Sequence, residues 1–363
     1  MSNSIQLNTS VSDNHFITVG FKIIDKIKEY LSSTFSCKKG VIIVDENVFE
    51  LYGESYLKEL EAVFEDVIWI EVPSGESSKS LAQFQKISDK ILNAGVDRST
   101  PVLVIGGGVT GDLGGFVAAS CLRGIPLIHI PTTLLAMVDS SIGGKTGINH
   151  EVGKNLIGAF YQPKAVFSDL FFLETLPNKE IVNGLGEVIK YGMIRDLEIL
   201  NTLKEISVNN TFSYSKKWEQ IVHTCAKIKV NIVSEDFKES GVREILNFGH
   251  TFAHVIERVG EYKKYSHGEA VYMGMWGAAK LSNLLGFDID IANLSSFRSL
   301  YTSRFNPKES AEELTSLMLF DKKVKDGSIK AIVLEEIEQA KSTIITDISV
   351  INESWKFLIQ EFK

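Results

Sequence analysis

Three of the seven histidines fall within one short stretch of the chain. His250 and His254 are four residues apart, and His267 follows thirteen positions after the second of them. Histidine is the commonest metal ligand and carries protons near neutral pH. A helix places side chains four residues apart on the same face. The stretch therefore predicts a metal or proton-transfer site, although an isolated pair of helical histidines is commonly an ordinary surface or hydrogen-bonded feature.

A catalytic zinc site takes three protein ligands and keeps one coordination position open. Four side chains are candidates by residue type, namely Glu187, His250, His254 and His267. Spacing does not choose among them, and Glu187 with His250 and His254 would be the simplest choice. Glu187 also stands three residues before Lys190, which on a helix predicts an ion pair. Further polar residues precede His250 and could contact an anion or move a proton: Lys229, Glu239, Arg243 and Asn247.

A glycine motif follows the apolar run 102–105. Gly106, Gly108 and Gly111 match G-x-G-x-x-G, which binds a dinucleotide when it lies between a strand and a helix. The acidic residue normally found about 20 positions downstream is absent. Asp45 ends an earlier apolar run, and we therefore predict it as the ribose partner. The alternative interpretation is a structural glycine turn.

Two lysines lie further along, on segments that are predicted to be glycine-rich loops. Gly144-Lys145-Thr146 resembles part of a P-loop, but Asp139 stands where that motif needs its first glycine, so we reject this assignment. Lys145 and Lys154 are instead predicted to bind phosphate or carboxylate. The formal net charge of −8 makes such local basic groups more informative and argues against a nucleic-acid surface.

The patterning of the chain predicts two domains, as expected for 363 residues. Short β-branched runs at 41–45, 67–72, 102–105, 127–130 and 166–169 alternate with helical patterns, which predicts a doubly wound α/β domain over residues 1–177. After Pro177 helical patterns dominate, at 179–193, 218–234, 249–259 and 268–285, and only 329–334 is strand-like. Residues 178–363 are therefore predicted to form a helical domain.

Other features indicate a cytoplasmic protein. Cys37, Cys121 and Cys225 are far apart and in no metal-binding spacing, which predicts reduced thiols. The polar N-terminal sequence lacks the pattern of a signal peptide, and no apolar run reaches transmembrane length. We expect no membrane or nucleic-acid partner.

Together these segments resemble the 3-dehydroquinate synthase family over residues 41–334. The motifs that carry the resemblance are GGGVTGDLGGFVAA, RGIPLIHIPTTLLAMVDSSIGGKTGIN, GKNLIGAFYQP, NGLGEVIKYG, LNFGHTFAHVIE and HGEAVYMG. The family converts 3-deoxy-D-arabino-heptulosonate 7-phosphate (DAHP) to 3-dehydroquinate and phosphate. The resemblance implies a Rossmann-like N-terminal domain, a helical C-terminal domain and an active site between them. The chain departs from the family pattern at Met137, Gly186 and Glu338.

The resemblance also implies residue roles. It places zinc, with cobalt as a substitute, on Glu187, His250 and His267, and leaves His254 for substrate or proton chemistry. It places NAD at Asp45, Asn47, Glu76, Lys79, Gly107, Gly108, Val109, Asp112, Thr132, Thr133, Lys154, Phe172 and Thr175. Substrate contacts fall to Asp139, Lys145, Asn155, Lys190, Lys229, Arg243, Asn247 and Lys330. Arg123 resembles the residue that a neighbouring subunit contributes to the phosphate pocket, which implies a homodimer.

The implied chemistry is a redox cycle with no net oxidation. Hydride passes to NAD+ from the carbon that bears a hydroxyl acidified by the metal, and phosphate then leaves by elimination. The hydride returns, the sugar ring opens, and an intramolecular aldol step closes the carbocycle. Glu239 and His254 are the expected proton carriers. Two alternatives share the two-domain plan and the metal site: a sugar-phosphate cyclase of secondary metabolism, which also uses NAD, and a metal-dependent polyol dehydrogenase, which would release NADH in stoichiometric amounts. Arg243 favours a substrate that carries a carboxylate.

Overall fold

The structure is a computed structural model that describes residues 3–8, 14–36, 38–206, 212–319 and 328–363, so Cys37 lies outside the described residues. Cys121 and Cys225 are buried thiols. The chain divides into two compact units: Met1–Pro177 with Asn210–Ser234, and Asn178–Asn209 with Glu235–Lys363.

The segment Asn210–Ser234 was predicted to lie in the helical domain, but it belongs to the first unit. Two contacts explain its place. The ring of Tyr214 stacks on Phe21 with centroids 4.0 Å apart. Further along the segment, the ammonium of Lys229 lies 2.7 Å from a carboxylate oxygen of Asp139. Periodicity marks this segment as helical, but it carries no information about which unit the helix packs on.

Eleven strands occur in the described residues. In chain order they are β1 (Asn3–Asn8), β2 (Asn14–Gly20), β3 (Lys39–Asp45), β4 (Asp66–Val72), β5 (Val102–Gly106), β6 (Leu127–Pro131), β7 (Lys145–His150), β8 (Gly153–Phe160), β9 (Ala165–Asp169), β10 (Ile329–Glu336) and β11 (Gln339–Ile345).

The α-helices of the described residues are α1 (Ile24–Thr34), α2 (Glu46–Tyr52), α3 (Lys58–Glu61), α4 (Leu81–Asn93), α5 (Gly108–Ser120), α6 (Asn178–Ile194), α7 (Glu198–Lys204), α8 (Lys216–Glu235), α9 (His250–Val259), α10 (His267–Leu284), α11 (Ala292–Ser295), α12 (Ala311–Leu319) and α13 (Ser349–Glu361). None of the helices in these ranges is long and apolar enough to cross a membrane.

The first unit is built on a seven-stranded sheet with the order β1-β2-β9-β6-β5-β3-β4. Strand β1 is antiparallel to β2, and the pairings among the other strands are parallel. The predicted doubly wound α/β fold is therefore confirmed, and its five predicted strands are β3, β4, β5, β6 and β9. Every residue of β5, β6 and β9 is buried. Strand β5 is accordingly a continuous apolar run, while β6 and β9 also bury polar side chains, at His129, Ser168 and Asp169.

The order of the strands locates a topological switch point. From β3 the chain continues to β4 on one side, whereas from β5 it continues to β6 on the other. The connections diverge at the carboxyl ends of β3 and β5, where open α/β sheets bind their ligands. Asp45 is the last residue of β3 and Gly106 is the last residue of β5. The two predicted nucleotide motifs therefore lie at this switch point.

The segments around Lys145 and Lys154 were predicted to be glycine-rich loops, but they form the antiparallel hairpin β7–β8. Gly147 pairs with Gly158, and a side chain at either position would collide with the backbone of the opposite strand. The glycines therefore allow two strands to approach closely. Lys145 begins the hairpin and is exposed.

The second unit is mainly helical, as predicted. The predicted helices correspond to α6, α9 and α10, while the fourth, α8, lies largely in the first unit. Strand β10 was predicted, and its partner β11 was not, because β11 is an exposed strand with polar residues rather than an apolar run. Helix α10 is buried along most of its length, and it carries His267 at its first position.

Candidate functional site

Three side chains in the second unit could hold a metal ion. One ligand atom each of Glu187, His250 and His267 lies within 4.8 Å of the others. Nε2 of His250 and Nε2 of His267 are both 3.3 Å from Oε1 of Glu187. One carboxylate and two imidazoles form a donor set typical of catalytic zinc sites. The described residues contain no other group of this kind.

The charged side chains of the cluster shift one another's pKa values. Burial alone would raise the pKa of Glu187, but the Lys190 ammonium and hydrogen bonds from the two histidines hold it well below its usual range. Burial lowers the pKa of His250 despite Glu187. Desolvation would also lower the pKa of His267, but hydrogen bonds to Glu187 and Glu257 raise it to about 10. Without a metal, the ionised carboxylate of Glu187 therefore lies beside two cations, the Lys190 ammonium and a protonated His267.

Close backbone packing brings these ligands together. Glu187 follows Gly186 in α6, and His267 precedes Gly268 in α10. A Cβ on Gly186 would overlap the backbone of Gly268, and a Cβ on Gly268 would overlap the carbonyl of Asn183. The backbone N–H of Gly268 donates a 2.7 Å hydrogen bond to the Asn183 side chain. The helices thus meet without intervening side chains.

The starts of the two helices that carry the histidine ligands, α9 and α10, are well defined. Gly249 precedes α9 with φ of +82°, a left-handed conformation that favours glycine, and His250 follows as the first helical residue. Ser266 caps α10 and forms a capping box with Glu269, which fixes the position of His267.

His254 differs from the other two histidines. It lies one turn after His250 in α9, and the two rings are 5.9 Å apart in an edge-to-face arrangement. It is exposed and does not belong to the three-residue cluster. The His-x-x-x-His pair is therefore not a two-histidine clamp in this structure.

The other predicted site residues of the second unit lie in or near the segment that precedes α9. Asn247 donates a 2.7 Å hydrogen bond to Oε1 of Glu239. Arg243 is 2% exposed and donates through Nη1 to the carbonyl of Phe237 at 2.6 Å. Lys330 in β10 forms a 2.5 Å ion pair with Glu244.

In the first unit, a polar network surrounds Lys79. This buried lysine donates hydrogen bonds to Asp112 and to the side chain of Asn155. The backbone N–H of Asn155 in turn donates to Asn149 at 3.0 Å, and Asn149 donates to Glu76 at 2.7 Å. Burial raises the pKa of Asp112, although the neighbouring Lys79 opposes that shift. Lys154 lies 3.7 Å from Glu76 and belongs to the same network.

A second polar group lies at the carboxyl ends of β3 and β4. Asp45 accepts hydrogen bonds from the backbone of Asn47 at 3.0 Å and from the hydroxyl of Ser74 at 2.7 Å. The Asn47 amide donates to Ser74 at 2.6 Å. Asp45 and Asn47 are thus brought together, and Ser74 is a member that the sequence analysis missed.

The glycine turn is tightly packed. Helix α5 begins at Gly108, with Gly107 in an extended conformation before it. A Cβ on Gly107 would lie 3.0 Å from Thr133, and one on Gly108 would lie 3.0 Å from Ser140. Thr132 follows β6 and donates its backbone N–H to Gly106 at 3.0 Å. These contacts hold the N-terminus of α5, with Val109 in its first turn, beside the end of β6.

Phe172 and Thr175 are arranged differently from each other. The Phe172 side chain is 2% exposed and packs against the rings of Tyr52 and Tyr56 at 5.0 and 4.8 Å. It is a core residue, so only its backbone is available to a ligand. Thr175 is exposed, and its hydroxyl lies 2.7 Å from the Tyr52 hydroxyl.

Asp139 and Lys229 form one more predicted pair. Lys229 is 6% exposed and lies 2.7 Å from both the carboxylate and the backbone carbonyl of Asp139. Arg123, by contrast, is exposed at the end of a short 3-10 turn. Leu122, Arg123 and Gly124 have φ values of +50°, +65° and +111°, so two non-glycine residues adopt a strained left-handed conformation there.

The chain combines a doubly wound α/β unit with a mainly helical unit that could hold a metal ion, and these two features define its class. Residues 69–183 match the model described as 3-dehydroquinate synthase N-terminal, and residues 184–324 match 3-dehydroquinate synthase C-terminal. The chain belongs to the 3-dehydroquinate synthase family. A 3-dehydroquinate synthase of Prochlorococcus marinus (strain AS9601) is 43% identical over 331 residues, 88% of this chain and 90% of the relative. One of Chlorobaculum tepidum is 42% identical over 335 residues, 89% of this chain and 90% of the relative.

Solved structures share the fold. A 2-deoxy-scyllo-inosose synthase complexed with carbaglucose-6-phosphate, NAD+ and Co2+ is 25% identical with a TM-score of 0.84, covering 99% of this chain and 100% of that one. A 2-epi-5-epi-valiolone synthase from Streptomyces hygroscopicus with NAD+ and Zn2+ bound is 24% identical with a TM-score of 0.85, covering 98% and 99%. A glycerol dehydrogenase from Schizosaccharomyces pombe is more distant, at 16% identity and a TM-score of 0.66 over 99% and 91%.

Proposed function

We infer that the chain catalyses the 3-dehydroquinate synthase reaction, in which DAHP is converted to 3-dehydroquinate and inorganic phosphate. The observation that carries this inference is identity of 42–43% to 3-dehydroquinate synthases over nearly nine-tenths of the chain. It is an enzyme of the phosphate-releasing carbon–oxygen lyase class. Bound NAD+ would serve as a reversible hydride acceptor that is recycled rather than consumed.

For the metal, we propose Glu187, His250 and His267 as ligands and Zn2+ or Co2+ as the ion. The donor set fits, because both imidazole Nε2 atoms face the same carboxylate oxygen at 3.3 Å. The bound ion would supply Lewis acidity toward a substrate hydroxyl. Lys190, buried beside Glu187, would neutralise part of the charge that remains on the carboxylate and substrate.

For NAD, we propose the switch point of the first unit. The N-terminus of α5 offers backbone N–H groups to a pyrophosphate, and Asp45 offers a carboxylate to a ribose. Bound NAD+ would supply a reversible hydride acceptor. The proposed contacts are Asp45, Asn47, Glu76, Lys79, Gly107, Gly108, Val109, Asp112, Thr132, Thr133, Lys154, Phe172 and Thr175, with Phe172 acting through its backbone.

For the substrate, we propose side chains that match its two anionic groups. Lysine, arginine and amide groups neutralise phosphate and carboxylate charge. Glu239 and His254 are proposed to move protons, and Asn247 holds Glu239 in place through their 2.7 Å hydrogen bond. The proposed contacts are Asp139, Lys145, Asn155, Lys190, Lys229, Arg243, Asn247 and Lys330.

We also propose a homodimer in which Arg123 reaches the phosphate pocket of the neighbouring subunit. Its support in the structure is the strained turn that presents this exposed arginine, since backbone strain of this kind persists at functional positions. Measurement of mass in solution, followed by mixing Arg123→Ala with a variant lacking Lys229, would test the shared site. A mixed dimer regains one active site only if Arg123 of the second variant completes the pocket of the Arg123→Ala subunit, which still has Lys229.

The experiment that tests the function compares substrates. Purified enzyme with Zn2+ and NAD+ is given DAHP, sedoheptulose 7-phosphate or glucose 6-phosphate, and phosphate and products are followed. We expect phosphate release and 3-dehydroquinate from DAHP alone. Turnover of either of the other sugar phosphates without turnover of DAHP would instead favour the secondary-metabolism cyclases.

A further inference from the structure

Glu257 is an acidic residue of α9 that holds one of the proposed metal ligands. Its Oε1 accepts a 3.2 Å hydrogen bond from Nδ1 of His267. On the other side of the same ring, Nε2 lies 3.3 Å from Oε1 of Glu187. The His267 imidazole is therefore contacted by a carboxylate at each nitrogen. Only one of the two carboxylates belongs to the proposed ligand set.

This arrangement determines which ring nitrogen is available to a metal. A neutral imidazole binds a metal through the nitrogen that lacks the proton. A carboxylate at Nδ1 favours the proton on that atom, leaves the Nε2 lone pair free, and fixes the rotation of the ring. In His267 the freed nitrogen is the one that faces Glu187.

His250 receives the same support from a different group. Its Nδ1 donates to the backbone carbonyl of Phe248 at 3.3 Å, while its Nε2 faces Glu187. The His267 side chain is 34% exposed, compared with 12% for His250. The more exposed ring has fewer packing contacts to orient it, so its hydrogen bond matters more. The Glu257 side chain is only 14% exposed, and a less solvated carboxylate makes a stronger hydrogen bond.

The position of Glu257 follows from the helix that carries it. Glu257 is seven residues after His250 in α9, and this spacing returns to the same helix face after two turns. One face of α9 thus carries both the proposed ligand His250 and Glu257, which contacts the second histidine ligand at the start of α10. The sequence signal is His-x-x-x-His-x-x-Glu, in which the last residue supports His267 from a different helix.

We propose that Glu257 is the positioning residue of the metal centre. It accepts a hydrogen bond from Nδ1–H of His267 and so fixes the orientation of the ring, in which Nε2 binds the ion. Glu257 itself touches neither metal nor substrate. The proposal rests on the proposed ligand set Glu187, His250 and His267. It predicts that loss of Glu257 changes metal affinity and ligand geometry, in addition to any effect on turnover.

The test uses full-length protein stripped of metal, with Glu257→Ala, Glu257→Gln and Glu338→Ala compared with the parent. Glu338 is the control because it too accepts a hydrogen bond in this unit, from the backbone of Leu197 at 2.6 Å. Zn2+ affinity is measured by competition with a chelator at fixed pH, and ligand geometry by the absorption bands of the Co2+ form. Thermal unfolding of the metal-free proteins reports stability separately.

We expect Glu257→Ala to weaken Zn2+ binding about 10- to 100-fold and to alter the Co2+ bands. Glu257→Gln should lose less, because the amide oxygen still accepts a hydrogen bond from Nδ1. Glu338→Ala should bind metal like the parent.

If Glu257→Ala keeps the parent's affinity and Co2+ spectrum, the positioning role is wrong. Should Glu257→Ala fail to fold, Glu257→Met is measured in its place, because it keeps the bulk of the side chain but removes the acceptor oxygens; an unchanged affinity and spectrum in that variant would equally overturn the role. A parent protein that binds no stoichiometric metal would instead overturn the metal site itself.

Discussion

Gly186 in α6 and Gly268 in α10 lie backbone against backbone, directly beside two proposed metal ligands. A Cβ on Gly186 would overlap the Gly268 backbone, and one on Gly268 would overlap the Asn183 carbonyl. Glu187 directly follows Gly186 in α6, and His267 directly precedes Gly268 in α10. The distance between these ligands is therefore set by two residues that have no side chain.

Gly268→Ala should be severely damaging, because the added methyl group meets fixed backbone rather than a movable side chain. We expect a loss of about 3 kcal/mol or more in the free energy of unfolding, together with loss of bound metal. Urea unfolding and metal content check both. Gly53→Ala is the matched control, since Gly53 is helical and its Cβ would approach the Phe49 ring no closer than 3.8 Å. Equal stability of the two variants would contradict the close-packing argument.

His129 should make the protein sensitive to acid. It is 5% exposed in β6, and burial lowers its pKa from 6.5 to about 4. Between these pH values the unfolded chain binds more protons than the folded one, so the free energy of unfolding falls as pH drops from 6.5 toward 4. The full effect is about 3 kcal/mol.

The measurement is urea unfolding at several pH values in this window. His129→Leu should flatten the slope by about 1.4 kcal/mol per pH unit, the value for one proton. His150→Gln removes an exposed histidine of the β7–β8 hairpin and should leave the slope as it is. An unchanged slope in His129→Leu would mean that other groups cause the acid sensitivity.

Lys229→Met should reduce activity by about 100-fold or more. The buried ammonium lies 2.7 Å from the Asp139 carboxylate, so the variant removes the partner of that carboxylate together with a proposed cationic contact for the substrate. Lys227→Met changes an exposed lysine two residues earlier on α8 and serves as the control. Values of kcat and KM for phosphate release distinguish the variants. Similar activities would exclude Lys229 from the reaction.

His267→Ala and His254→Ala should separate metal binding from proton transfer. The first removes a member of the cluster whose ligand atoms lie within 4.8 Å, and the second removes an exposed histidine outside it. After dialysis against a weak chelator, His267→Ala should retain little metal, whereas His254→Ala should retain about one ion per chain and lose turnover. The opposite pattern of metal content would restore the His250–His254 pair as ligands.

The parallel sheet could be predicted because its central strands are buried on both faces, and residues such as Val102–Gly106 therefore form unbroken apolar runs. The β7–β8 hairpin could not, because its glycines and polar residues resemble a loop, and the pairing of Gly147 with Gly158 depends on tertiary approach. Strand β11 was missed for a similar reason, since it is largely exposed and has no apolar pattern.

The candidate site, like the fold, could be predicted only in part. Residue types identified Glu187 and the three histidines as candidates, but spacing did not choose among them, and only the family resemblance implied His267 rather than His254. The cluster forms where α6 meets the first turns of α9 and α10, and contacts between helices are not visible in local spacing. Ser74 and Glu257 were missed because each acts only by holding another polar side chain.

The proposed reaction releases phosphate and recycles NAD. Its most direct test is one time course with DAHP in large excess over NAD+, in which phosphate and absorbance of NADH are recorded together. We predict phosphate far in excess of the NAD+ supplied, with no net accumulation of NADH. NADH that rises in step with substrate consumption, without phosphate release, would contradict the account and indicate a polyol dehydrogenase.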